Sequence, residues 1–385
     1  MESSLSDIAQ TLNQSGKKVQ LIYAFNGIGK TRLSREFKNL VSPKDYESNE
    51  SQDFSISNIL YYNAFTEDLF FWDNDLEQDA KPRLRIQQNT FTDWVLKDQG
   101  QDRNIITNFQ LYTNVKLTPY FDEEFSEVTF RYESGDDEHS DSLKISKGEE
   151  SIFVWSVFYT LLEQIIAVSN DIDLDFDEES EREFANLQYV FIDDPVSSLD
   201  EGHLINLAVN LAILIKKSPS KLKFIITTHS YLFYNVLHNE LNRDEKKLGY
   251  KGSLSGFCLN RLENGQLELD GQSNDRPFAY HIFLLEELKV AIETGQLQKY
   301  HFNFLRNILE KTATFLGYKH WGDLLPRSND GTSEAYVSRI TNLYSHSRHS
   351  GDEVQYLEED DKRVLNFLVN DLIKTCRFKQ EVIDD

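Results

Sequence analysis

The stretch LIYAFNGIGKTRLS, Leu21 to Ser34, divides into three parts. The apolar run LIY reads as a buried strand, KTRLSREFKNL reads as a helix, and AFNGIGKT joins them. A loop of the form G-x-x-x-x-G-K-[ST] between a strand and a helix cradles phosphates. Ala24 stands at the first glycine position, and the remaining features are present. Gly27 and Gly29 let the backbone curl so that its N–H groups converge on phosphate oxygens. Lys30 is placed to reach the β- and γ-phosphates and Thr31 to ligate a magnesium ion. The helix that opens near Gly29 turns its positive end to the anion. Asn26, Gly27, Ile28, Gly29, Lys30, Thr31 and Arg32 are therefore the candidate nucleotide-binding residues, with ATP or GTP and Mg2+ as the expected cofactors.

The chain has 385 residues, enough for two domains, and 39% of them are hydrophobic. No run approaches the roughly 18 consecutive apolar residues of a membrane helix. The opening MESSLSDIAQTLNQSGKK lacks the basic and apolar segments of a secretory signal. Two cysteines, Cys258 and Cys376, stand far apart, which argues against a disulfide framework or a zinc site and favours a reducing cytoplasm. A net charge of −24 opposes nonspecific binding to nucleic acid, so any basic surface must be local.

Three more stretches carry nucleotide chemistry. In NLQYVFIDDPVSSLD (Asn186 to Asp200) a β-branched and aromatic strand ends in two carboxylates. Asp193 is placed to hold magnesium, and Asp194 to orient or deprotonate an attacking water. KFIITTHS (Lys223 to Ser230) is a second buried strand with His229 at its carboxyl end, where an imidazole can sense a γ-phosphate. LKISKGEES (Leu143 to Ser151) opens the long helical pattern IFVWSVFYTLLEQIIAV. Each signal has a plain structural alternative, a helix cap or a satisfied loop residue.

In this order the motifs resemble the ABC-type ATPase domain. The resemblance implies a signature segment at Ser146, Lys147, Gly148 and Glu149, a D-loop ending at Asp200, and a switch role for His229. It also implies assembly as a homodimer or higher oligomer, since in that family one subunit's signature completes the nucleotide site of another. The long insertion between P-loop and signature is similar to that of the RecF and structural-maintenance branches. Asp194 departs from the glutamate usual at its position, and the shorter carboxylate suits a clamp better than a motor.

The strand-like GFCLNRL and QLELD close this region, and the turn signals that follow mark a boundary. The expected organisation is an α/β ABC-type P-loop ATPase domain over 1–270, with an inserted segment at about 60–140, followed by a smaller, mostly α-helical domain over 271–385. In the helix QKYHFNFLRNILEKTATFLGY, Leu305, Ile308, Leu309, Phe315 and Leu316 supply an apolar face. Arg306 and Glu310, four apart, project together, as a surface ion pair also would. His346 and His349 lie where the helical pattern is expected to end, in NLYSHSRHSGDE, and histidine is the side chain whose unperturbed pKa lies nearest neutral pH, so it can take and give protons. An arginine, a glutamate and a histidine suffice for metal-independent RNA cleavage through the ribose 2′-OH.

Over nearly its whole length the sequence resembles the PrrC-type anticodon nucleases. The carrying stretches are VQLIYAFNGIGKTRLSREFK, ILYYNAFTEDLFFWDNDL, KGEESIFVWSVFYTLL, YVFIDDPVSSLD, FIITTHS, KYHFNFLRNILEKTATFLGY and YVSRITNLYSHS. The family's nuclease motif, R-x-x-x-E with a later histidine, falls on Arg306, Glu310 and His346; His349 is second choice, and His301 and His320 are assigned to packing or RNA contact. The resemblance implies cleavage of a tRNA, typically the lysine acceptor, in its anticodon loop beside the wobble base. It further implies silencing by a type I restriction-modification complex until a phage antagonises it. Lys299, Lys311, Lys319, Arg327, Arg339 and Arg348 offer the local basic surface such a substrate needs. The rival reading is a RecF-type DNA-repair ABC ATPase without nuclease activity, which gives no role to the Arg306–Glu310 pair.

Overall fold

The computed structural model describes residues 4–42, 58–62, 70–73, 82–87, 96–97, 100–113, 116–132, 142–170, 187–195, 199–262, 265–272, 280–327, 331–345 and 357–378. The chain divides into two compact units, Met1–Pro277 and Phe278–Asp385.

In the first unit the elements are α1 (Leu5–Gln14), β1 (Val19–Tyr23), α2 (Lys30–Val41), β2 (Ile59–Tyr62), β3 (Phe70–Asp73), β4 (Arg83–Ile86), α3 (Asp102–Tyr112), β5 (Leu117–Phe121), β6 (Glu127–Tyr132), α4 (Lys147–Asn170), β7 (Tyr189–Asp193), α5 (Glu201–Lys217), β8 (Lys223–Thr228), α6 (Tyr231–Leu241), β9 (Leu254–Arg261) and β10 (Leu267–Gln272). Six strands form one sheet in the order β10-β9-β1-β8-β7-β2. Its neighbours are parallel except for β10 against β9. Every residue of β1 and β7 is buried, as expected of parallel strands covered on both faces, and this explains their unbroken apolar runs. This is the α/β P-loop ATPase fold. The register Tyr23↔Thr228 and Asp193↔Thr227 brings the carboxyl ends of β1, β8 and β7 to one edge. Ligands of open α/β sheets bind at such edges.

Residues of the expected insertion build a second sheet, β3-β4-β6-β5, antiparallel throughout. Strand β4 alternates half-buried and buried positions, the pattern of a sheet with one covered face. Phe153 of α4 packs against Phe70, Phe109, Phe121 and Phe130 beneath it. Helix α4 is long and apolar enough to cross a membrane, yet Ile152 through Leu162 are all buried in this unit. A helix apolar all round is what a position between two layers requires.

The second unit contains α7 (Tyr280–Glu293), α8 (His301–Leu316), the short 3-10 turn Trp321–Leu324, α9 (Glu334–Ser345) and α10 (Glu359–Thr375). Leu284, Leu285 and Leu288 of α7 and Phe302, Leu305, Ile308 and Leu309 of α8 are buried. The apolar face expected on α8 stops there: Phe315 is 91% exposed and Leu316 51%. Phe315 lies about a third of a turn off the direction of Leu309, and Leu316 falls in the last turn before the left-handed Gly317.

His301, at the start of α8, is buried and accepts the Gln298 N–H at Nδ1, 2.8 Å. Burial holds its pKa down from 6.5 to about 4. Between those values the unfolded chain binds a proton that the folded chain refuses, so stability is lost as pH falls from 6.5 towards 4. Urea melts at pH 7 and pH 5 should differ less for His301→Gln than for the wild type.

Candidate functional site

The phosphate loop is built by local backbone geometry. Gly27 and Gly29 have φ of 81° and 129°, where an L side chain is strained. Ala24 is absent from the residues with positive φ, and its N–H donates to the Thr228 carbonyl at 3.0 Å, so that position does not require glycine. Gly29 caps α2 without a side-chain bond, which leaves the helix amides to the loop. Lys30 donates to the carbonyls of Ala24 and Phe25 and to Asn26 Oδ1, at 3.2, 3.4 and 3.1 Å.

The acidic pair closes on the same point. Asp193 is buried and receives hydrogen bonds from Thr227 Oγ1, at 2.6 Å, and from Thr31. Burial pushes its carboxyl above the usual range despite those hydroxyls. A buried carboxylate beside a threonine hydroxyl is an oxygen donor set that suits Mg2+. Asp194 adopts left-handed φ of 53° and lies 3.3 Å from Lys30 Nζ and 2.7 Å from His229 Nδ1. Burial opposes its charge, but the His229 hydrogen bond and the Lys30 ammonium together hold its carboxyl below the usual range. Lys30, Asp193, Asp194, Thr31 and His229, separate in sequence, thus meet at the sheet edge.

Two partners of this site are outside its motifs. Ser34 of α2 bonds Tyr61 of β2 and reaches Asp193 at 3.5 Å. Arg261, the last residue of β9, donates through one nitrogen to the carbonyls of Gly27 and Ile28, at 3.3 and 3.0 Å. Holding those carbonyls outward keeps the loop amides turned inward. Arg261→Ala should therefore raise the nucleotide concentration for half-saturation about fivefold, with little change in turnover at saturation. Steady-state phosphate release checks this.

The signature segment is also the start of a helix. Ser146 Oγ accepts the Glu149 N–H at 3.2 Å, and the Ser146 N–H donates to Glu149 Oε2 at 2.7 Å, a reciprocal cap. Lys147 pairs with Glu150 at 2.8 Å, and Glu150 accepts Trp72 Nε1–H at 2.8 Å. Gly148, between them, is the one position of the first turn without a side chain. Asp200 caps α5 through the His203 N–H at 3.0 Å and bonds His203 Nδ1 at 2.7 Å. Arg32 stands in the first turn of α2.

In the second unit, Arg306 Nε donates to Glu310 Oε1 at 2.8 Å on the exposed side of α8. The guanidinium carbon lies 5.9 Å from the centre of the Trp321 ring, a cation–π distance. His346 and His349 lie outside the described residues, which end α9 at Ser345.

A curated relative, the anticodon nuclease of Escherichia coli, is 48% identical over 408 aligned positions, covering 99% of each chain. The chain belongs to the anticodon nuclease family. It is an enzyme of that family with an ATPase domain: a protein-family profile described as an AAA domain matches residues 116–370. Among solved structures, the SmcHead bound to the C-winged helix domain of ScpA aligns with 67% of this chain and 91% of its own, at 10% identity and a TM-score of 0.33. The SMC head domain from Thermotoga maritima covers 66% and 90%, at 10% identity and a TM-score of 0.29.

Proposed function

We propose that this protein is a nucleotide-gated endoribonuclease that cuts tRNA in the anticodon loop. The whole-length relationship to an anticodon nuclease carries that reading. The Arg306–Glu310 pair supplies groups suited to the chemistry. Of Glu310 and His346, one takes the proton from a ribose 2′-OH. The 2′-oxygen attacks phosphorus, the bond to the 5′-oxygen breaks, and the other group delivers a proton to that leaving oxygen. Arg306 stabilises the crowded, charged phosphorane. The products are a 2′,3′-cyclic phosphate and a 5′-OH, and DNA is inert for want of a 2′-OH. The preferred substrate is a lysine tRNA, cut beside the wobble base, and no metal takes part in the cut.

The first unit is the gate. Lys30 and the loop amides of Gly27 to Thr31 would hold the phosphates of ATP or GTP, and Thr31 and Asp193 the Mg2+. Bound nucleotide with Mg2+ supplies a hydrolysable phosphoanhydride. Asp194 orients and deprotonates the attacking water, and His229 positions Asp194. Asn26, Ile28 and Arg32 complete the loop. Ser146, Lys147, Gly148, Glu149 and Asp200 act on the nucleotide of a second copy, in a dimer or larger assembly of the first units. A cytoplasmic role in phage defence, silenced by a type I restriction-modification complex, follows the family resemblance.

Incubating the protein and His346→Ala with bulk tRNA and nucleotide, then sequencing new 3′ ends, tests this. Cuts at one anticodon, cyclic-phosphate ended and missing from the variant, are expected. Intact tRNA despite nucleotide hydrolysis would instead favour a DNA-binding ATPase. Chelation with EDTA should stop nucleotide turnover but leave cutting by already activated enzyme. In the same assay Trp321→Ala should lower cleavage about tenfold through loss of its hold on Arg306, and Trp321→Phe should recover part of it.

A further inference from the structure

From Thr314 to His320 the chain reads TFLGYKH, and every residue of it is exposed. Phe315, in the last turn of α8, is 91% exposed, and Tyr318, just past its Gly317 cap, is 48% exposed, whereas most other large apolar side chains of the helix are inside. Lone exposed aromatics need no explanation, but two within four positions, followed at once by Lys319 and His320, form a patch with a polar rim. The run ends at Trp321, whose ring lies 5.9 Å from the Arg306 guanidinium carbon, so it turns back from the end of α8 towards the Arg306–Glu310 pair. Phe315 itself points about half a turn away from Arg306 and about 13 Å further along the axis.

Charge selects the occupant. The whole chain carries −24, yet residues 299–348 hold seven Lys and Arg against four Asp and Glu. An apolar protein partner would be served by Leu316 and Phe315 alone; aromatic faces interleaved with cations fit single-stranded RNA. Splayed bases stack on aromatic rings while a lysine ammonium and a histidine N–H meet the phosphates.

We propose, resting on the ribonuclease reading above, that Phe315–His320 is the platform on which the unpaired bases of the RNA substrate stack next to the cutting site. Phe315 and Tyr318 take the base faces, and Lys319 and His320 take the phosphates on either side. About four stacked nucleotides span the axial distance from Phe315 to Arg306, a length within that of an unpaired loop.

The test measures affinity by fluorescence anisotropy in the full-length chain, in a Glu310→Gln background so that RNA stays intact. Probes are a labelled anticodon stem-loop and the same strand annealed to its complement. Phe315→Ala with Tyr318→Ala should weaken loop binding about tenfold or more and leave duplex binding unchanged. Phe315→Tyr with Tyr318→Phe should restore it, and Lys319→Ala should lower the salt slope for the loop by about 0.7. Far-ultraviolet circular dichroism and urea melts of the same preparations report that the second unit, which carries the substitutions, is folded. Undiminished loop affinity in the double alanine variant overturns the platform, while cleavage by the wild type would leave the nuclease reading intact. A change of oligomeric state with unchanged RNA affinity also overturns it and assigns the patch to contact between copies. A wild type that neither binds nor cuts tRNA sinks both readings together.

Discussion

Arg306→Ala and Glu310→Gln are each expected to depress tRNA cleavage by about two to four orders of magnitude while leaving nucleotide hydrolysis and melting temperature near the wild-type values. The magnitude is what separates catalysis from architecture here. The two side chains are 32% and 41% exposed, and an i, i+4 pair at that exposure stabilises a helix by only about 0.3–0.5 kcal/mol. The order Arg before Glu is the weaker one for the helix, so stability alone gives little reason for the pair. Neither substitution removes a buried group, and neither should unfold the unit. Arg306→Lys should recover little, because an ammonium lacks the planar fork and stacks less well on Trp321. If the residues act as one unit, the double variant should be no worse than the poorer single variant. Cleavage within a few-fold of wild type in both single variants would return the pair to the status of a surface ion pair.

The candidate nucleotide site was legible in the sequence because the residues that build it lie in short contiguous stretches. Strand, glycine-rich loop and helix are contiguous at Leu21–Ser34, and the Asp193–Asp194 pair and His229 each follow an apolar run that can only be a buried strand. Residues whose role comes from the fold escaped. Arg261 ends an ordinary strand and reaches the loop only because β9 lies beside β1. Trp321 looks like any aromatic after a helix until the chain turns back on α8. Ser146 and Glu149 show the opposite difficulty: their spacing satisfies both a signature motif and a helix cap, and the structure realises the cap. Phe315 and Leu316 were misread for a geometric reason, since a helical stripe has a direction and an end that a list of apolar residues does not.

Asp194→Asn is the second large effect, and it bears on whether the first unit is a motor or a clamp. Asparagine tolerates the left-handed backbone at φ 53° as well as aspartate does, so the loop should keep its shape. The charge disappears, and with it the group proposed to activate water; turnover should fall by about two to four orders of magnitude. Binding should survive or tighten, because Lys30, now 3.3 Å from the Asp194 carboxylate, loses a competitor for its ammonium. Asp194→Glu should not speed hydrolysis, for a longer side chain in the left-handed region costs on the order of 1 kcal/mol. That strain offers a local reason for an aspartate at this position. Phosphate release and filter binding of labelled nucleotide separate the two effects. Wild-type turnover in Asp194→Asn would mean that another group handles the water. A clamp further requires that Asp194→Asn, loaded with nucleotide, still cuts tRNA. Loss of cutting together with turnover would show that the nuclease needs the hydrolytic cycle itself.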